Sequence, residues 1–239
     1  MFPSLTDAKA TQLADLLNKH MASYGIDTKE KLQHFLAQAG HESKKFTKFT
    51  EGTNFQPSNI EKGDFKRYFN KIGQDNKYPD RTNLSSIYTS PNKYVDGEKY
   101  FNIIYDDRNP KRINKIGNIY DGDGYLFRGR GLLHISGRYN YKQFTEFYNK
   151  ISGLAAKDFT ITPDDLKDNF EISIHASLWF FNKFVLGGIN NFQTIANNID
   201  SNVQEKLIKD VSKLVNGGDI GLPDRIIELE DAKTKIKCN

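Results

Sequence analysis

Apolar side chains recur at helical spacing along most of the chain. Leu13, Leu16, Leu17 and Met21 form one stripe and predict a helix over residues 6 to 22. Asp27 and Glu30 have the spacing of a capping box, with Asp in place of the usual Ser or Thr, and predict that a second helix begins near residue 28. Leu32, Phe35, Leu36 and Ala39 carry that helix to about residue 43. Glu42 falls on the shoulder of their stripe, close in angle to Phe35. A carboxyl group there is expected to be partly desolvated, which disfavours its charged form and raises its pKa. Helical patterning returns over 138 to 149. Thr162-Pro163-Asp164-Asp165 reads as a further start, with a capping hydroxyl, a first-turn proline and acids favoured by the helix dipole. Ile172, Ala176, Trp179, Phe180 and Phe184 predict a buried helix after it. Val203, Leu207, Val211, Leu214 and Val215 predict another that stops at Gly217-Gly218, and a last helix is expected over 222 to 237.

Between residues 52 and 125 the period is lost. Asn, Asp, Lys, Gly and Tyr dominate, and Pro57, Pro79, Pro91 and Pro110 interrupt the chain. The stretch is rich in Tyr and Phe, so it is expected to be an ordered, irregular lobe with short helices or a small hairpin. No internal repeat or low-complexity tract is visible. The expectation is a mainly α single domain spanning 1–239.

With 37% hydrophobic and 13% aromatic residues, the 239-residue chain can bury a substantial core. The net charge of +4 and pI of about 8.9 favour an anionic partner without choosing one, and they also suit ordinary solubility. The single cysteine, Cys238, cannot form an internal disulfide and reads as an inert tail thiol. No run of about 18 apolar residues occurs, so no membrane insertion is expected. Met1 to Asp7 lack a basic segment followed by an apolar one. The chain is therefore expected to be made in the cytoplasm without a signal peptide. Action on a cell wall would then require release or export by another system.

Glu42 and Glu51 are the candidate chemistry. They sit nine positions apart in the phrases His41-Glu42-Ser43 and Thr50-Glu51-Gly52-Thr53-Asn54-Phe55, one at a helix end and one in a polar, turn-prone stretch. Glycosidic hydrolysis needs two carboxyl groups in different environments, one keeping its proton and one staying ionised. Taken alone, Glu42 is a helix-end carboxylate and Glu51 a loop acid. A zinc-protease reading of His41-Glu42 fails, because Lys45 stands where a second histidine is needed. His20, His34, His41, His134 and His175 show no ligand spacing with cysteine. His41 reads as a structural hydrogen-bonding residue and His175 as a satisfied core histidine. Asp121-Gly122-Asp123-Gly124 fails as a calcium loop because Leu132 occupies the twelfth position. Gly129-Arg130-Gly131 is not a phosphate loop and is expected to give close backbone packing beside a cleft. Arg130 pairs either with an acid of the site or with a surface carboxylate.

These phrases together resemble glycoside hydrolase family 19, the chitinase group that includes many bacterial and phage endolysins. Phe35-Leu36-Ala37-Gln38 running into His41-Glu42-Ser43 is similar to its first signature, and Glu51-Gly52-Thr53-Asn54-Phe55 to its second. Asp121 to Tyr125, Arg128 to Leu133 and Ser136 to Tyr141 fit the third. Ala176 to Phe180, Val215 to Gly218 and Gly221 to Arg225 follow in family order. Each phrase is weak alone, but their ordered run is specific. The chain departs at His134, where the family usually has Gln, and fits poorly over 57–118 apart from Tyr105-Asp106-Asp107-Arg108 and Gly117-Asn118.

The resemblance implies a lysozyme-like, two-lobed helical fold with a substrate groove, and an inverting mechanism. It makes Glu42 the general acid, Glu51 the general base and Ser136 a hydroxyl that positions water. Tyr139, Asn140, Asn216, His134 and Asn54 become sugar-contacting positions, and Arg225 a cation beside the acid, with Arg130 as a second supporting residue. The implied partner is an N-acetylated aminosugar polymer, not nucleic acid. Neither a metal nor an organic cofactor is required, and a monomer is expected. Peptidoglycan is the first expectation, chitin the second, and a wall-binding protein that keeps the fold without catalysis the third.

Overall fold

The structure, a computed structural model, describes residues 2–89 and 94–236; Pro91 and Cys238 lie outside the described residues. Among the described residues the chain is mainly helical, with eleven α-helices, short 3-10 turns and two two-residue strand pairs. No helix there is long and apolar enough to cross a membrane.

The helix Lys29–Glu42 is central. Every residue from Leu32 to Gly40 is buried, so the stripe read from the sequence is only part of its enclosed surface. The helix Leu222–Lys235 lies along it, and Ala37, Ile208 and Leu229 fill a small core beside the seam. The helix Phe170–Phe180 is buried from Ile172 to Trp179 and continues into a wider π-type turn over Phe181–Leu186. Its near-continuous apolar run suits a helix enclosed on all sides. Phe35, Phe127, Leu132, Tyr141, Phe144, Leu178 and Phe181 belong to the main core around these helices.

Two predicted helix ends move. The second helix is capped by Thr28, whose hydroxyl accepts from the Lys31 N–H at 3.4 Å, while Asp27 pairs with the Lys31 ammonium at 2.7 Å. The capping hydroxyl thus sits one residue beyond the expected Asp27, and Glu30 bonds Gln193 instead of closing a box. The first helix covers Asp7–His20 and tightens into a 3-10 turn over Met21–Tyr24 that ends on Gly25 in the left-handed region.

The irregular lobe has its own core, which includes Ile60, Tyr68, Phe69, Leu84, Val95, Tyr100, Phe101 and Ile104. Its helix Gly97–Ile104 packs on the short helix Asp123–Leu126. Phe69–Asn70 pairs in parallel with Thr82–Asn83, and Tyr88–Thr89 pairs antiparallel with Tyr94–Val95. The Asp107 carboxylate ties the segment together, accepting from the N–H groups of Ile116, Gly117 and Asn118 at 2.8, 2.5 and 3.1 Å. Aromatic packing and side-chain caps therefore hold a lobe that periodicity could not resolve.

Candidate active site

Where the two cores meet, three extended segments replace helix. Thr50 faces Arg130, and Arg130 faces Ile135, both antiparallel. The bonds Glu51 N–H to Gly129 O (3.0 Å) and Gly131 N–H to Phe49 O (3.0 Å) fix the register. One residue along, Glu51 lies opposite Gly129, while past Ile135 the register slips by one, because Gly137 N–H donates to the Phe127 carbonyl at 2.8 Å.

In a regular ladder Gly129 N–H would donate to the Glu51 carbonyl. Here it donates to the Glu51 side chain, at 2.6 Å to Oε2. The other oxygen, Oε1, accepts from the Tyr105 hydroxyl at 2.7 Å. A side chain on residue 129 would occupy this space: an added Cβ would lie 2.8 Å from both Cδ and Oε2 of Glu51. The Gly129-Arg130-Gly131 phrase thus brings backbone close to a carboxyl group. Burial together with Glu51 holds the Tyr105 phenol well above its ordinary range, so it stays a protonated donor.

Glu42 is held differently. It ends its helix with 18% of its side chain exposed, and its Oε1 pairs with Nη2 of Arg225, which is 1% exposed. The same guanidinium bonds the Gln38 side chain and donates through Nε to the Ile220 carbonyl at 3.2 Å. The partial burial inferred from the helix pattern is therefore accompanied by an ion pair. Gly221 makes this approach possible: it has a φ of +71°, and an added Cβ would sit 2.3 Å from Nε2 of His41. His41 is thus a packing partner of the loop that delivers Arg225. Burial first, and then Arg225, holds its imidazole below the ordinary histidine range.

His134 joins the two halves. It lies in the turn closing the Arg130–Ile135 pair, with a φ of +50°. Its Nδ1 is 3.8 Å from Oε2 of Glu42, and its Nε2 has no hydrogen-bond partner among the described residues. The ring feels the negative charge of both Glu51 and Glu42, yet burial outweighs them and keeps it below the ordinary histidine range. A neutral imidazole therefore faces both glutamates.

The remaining candidates divide. Ser136 follows Ile135 of the ladder, and its carbonyl accepts from the Asn140 side chain at 2.8 Å. Tyr139, 53% exposed, begins the helix Arg138–Tyr148. Asn216 is engaged locally, donating to the Ile220 carbonyl at 3.0 Å and accepting from Gly218 N–H at 2.8 Å. It braces the loop whose Ile220 carbonyl also receives Arg225. Asn54 is exposed within the Glu51 phrase. Arg130 resolves to the structural alternative: its guanidinium bonds Asp164, the Leu126 carbonyl and the Tyr141 hydroxyl, and neither glutamate. Only its backbone serves the ladder. Tyr105 is a site residue that sequence reasoning does not find: nothing in the spacing of Tyr105-Asp106-Asp107-Arg108 shows that it reaches a carboxyl 54 positions earlier.

This architecture is shared with known proteins. No family model matches the chain. Over 193 residues it is 27% identical to a protein of Haemophilus influenzae named "Glycosyl hydrolase family 19 domain-containing protein", covering 80% of this chain and 72% of that one. Chitinase C from Streptomyces griseus HUT6037 superposes with a TM-score of 0.50 at 13% identity, over 93% of this chain and 67% of that chain. A chitinase C mutant gives a TM-score of 0.50 at 12% identity, over 93% and 81%. The fold is thus the mainly helical, lysozyme-like one of the family 19 chitinases. The resemblance to glycoside hydrolase family 19 read from the motifs is borne out by the Haemophilus influenzae relative together with this fold.

Proposed function

We propose that the chain is a glycoside hydrolase that cleaves β-1,4 links in an N-acetylated aminosugar polymer with inversion at the anomeric carbon. The observation that carries this reading is the placement of two differently held carboxyl groups about one neutral imidazole: Glu42 against a cation, Glu51 against two neutral donors. Arg225 occupies Oε1 of Glu42, which leaves Oε2 to carry the proton delivered to the bridging oxygen. Glu51 takes a proton from a water on the opposite ring face, while Gly129 and Tyr105 hold its carboxyl in one orientation. Ser136, next to Ile135 of the ladder, steadies that water. Inversion needs about 6.5–9.5 Å between the carboxyl groups, room enough for the water. The exposed ring of Tyr139 supplies a stacking contact to the sugars, with His134, Asn140, Asn54 and Asn216 along the rim.

Peptidoglycan is favoured over chitin by charge. Within the irregular lobe, Lys66, Arg67, Lys71, Lys77 and Arg81 line a groove of about 410 Å³ that has a single acid, Glu61, in its wall. Chitin is neutral, whereas a cell wall carries peptide carboxylates that such a groove attracts. The chain is then a wall-lytic enzyme of the endolysin type, acting as a monomer. Chitin hydrolysis is the second reading, supported by the fold shared with chitinase C. Incubation with purified sacculi and with colloidal chitin separates them, read by turbidity and reducing ends. Release from sacculi is expected, and release from chitin alone would overturn the choice. Binding without release from either would favour a non-catalytic wall-binding protein.

A further inference from the structure

A second cluster of chemistry-bearing side chains lies between the first helix and the buried helix Phe170–Phe180. His20 is the last residue of Asp7–His20. Glu171 and His175 stand four residues apart on the other helix, hence on one face. One ligand atom from each of the three residues lies within 4.8 Å of the other two. His20 and His175 are 5% and 1% exposed, and Nε2 of each has no hydrogen-bond partner among the described residues. Nε2 of His175 is 3.8 Å from Oε1 of Glu171, too far for a hydrogen bond. Two buried imidazoles and a carboxylate thus converge without satisfying one another.

We propose that His20, Glu171 and His175 form a binding site for a divalent transition metal of the zinc class, which ties the first helix to the buried one. Two imidazoles and a carboxylate are a donor set that suits zinc or cobalt and disfavours calcium or magnesium, which prefer oxygen alone. Tyr24 supplies the outer contact such ligands need. Its hydroxyl lies 2.7 Å from Nδ1 of His175, and with the proton on Nδ1 the lone pair of Nε2 points to the metal. Metal binding requires both imidazoles as neutral ligands, and each offers an Nε2 with no competing hydrogen bond among the described residues. The nearby Lys19 ammonium opposes a cation and Glu171 favours one, so the carboxylate is needed for charge as well as geometry. Zinc bonds of about 2.0–2.1 Å place tetrahedral ligand atoms roughly 3.3 Å apart. Glu171, with 40% of its side chain exposed, has the freedom to close that difference and leaves a fourth position to water. None of the three residues bonds to Glu42 or Glu51, so the site stands or falls independently of the hydrolase reading. Sequence spacing hid it, because His20 and His175 are 155 positions apart.

The test uses the full chain carrying Cys238→Ser, so that the tail thiol adds no ligand. After chelator treatment it is titrated with zinc by calorimetry, and with cobalt by visible absorption. One metal per chain is expected, with a tetrahedral cobalt spectrum and a melting temperature that rises to a plateau with zinc. Glu171→Gln is expected to weaken binding at least about 10-fold. His20→Gln does the same from the other helix, should the first variant fold poorly. No saturable one-to-one binding would overturn the proposal, as would unchanged affinity in a folded Glu171→Gln or His20→Gln chain.

Discussion

The two glutamates show opposite ways of holding a carboxyl group. Glu42 sits on the main core at the end of a long helix and meets a buried guanidinium that its own helix helps to fix through Gln38. Glu51 sits where the second core touches a scrap of ladder and meets a backbone N–H and a phenol. One is secured by charge and the other by neutral donors. A single segment, Gly129 to Ser136, reaches from the second to the first and carries His134 between them. The two carboxyl groups thus differ in their partners, and one hairpin segment touches both, Gly129 at Glu51 and His134 at Glu42.

The difference breaks most completely when a carboxyl is removed. Glu42→Gln and Glu51→Gln should each lower turnover on sacculi about 10³-fold, with circular dichroism unchanged. Retention of the parent rate by either variant would reassign that role.

Acid should weaken the Glu42 side through its own helix. His34, on Lys29–Glu42, is buried edge-on against Phe192, and burial holds its imidazole down to about 3. In the unfolded chain it takes up a proton near the ordinary value of about 6.5, so stability is full above that pH and falls as pH drops toward 3. By pH 4 this amounts to about 3 kcal/mol, less whatever a His34→Leu variant also loses. Denaturant melts of parent and variant from pH 7 to pH 4 measure it, and parallel curves would contradict the assignment.

The Glu51 side should respond to a smaller intrusion. Gly129→Ala places a methyl where the carboxyl rests and should lower turnover about 10²-fold, by displacing the base roughly 1 Å. Tyr105→Phe removes one of two donors and should cost about 10-fold, read as kcat at saturating substrate. If Tyr105→Phe proves the more damaging, the ladder is not what positions Glu51.

Much of this was legible in the sequence, unevenly. The helix carrying Glu42 announced itself because Leu32, Phe35, Leu36 and Ala39 repeat at helical spacing, and only its cap was misplaced, from Thr28 to Asp27. The lobe over 52–125 was readable as ordered but not as structure. Its core is aromatic pairs such as Phe69 on Tyr100, and its turns are fixed by Asp107, neither of which leaves a period. The site partners divide in the same way. Arg225 could be placed beside Glu42 through the family resemblance alone. Tyr105, and the substitution of a carboxyl for a carbonyl at Gly129, depend on long-range register that no local pattern encodes.

Inversion is the most direct consequence of a base working across the sugar from an acid. Proton NMR of sacculi fragments, recorded within seconds of cleavage and before mutarotation, reads the anomer first formed at the new reducing end. The account predicts the α anomer; first appearance of the β anomer would show attack from the face of the leaving group and contradict the roles given to Glu42 and Glu51.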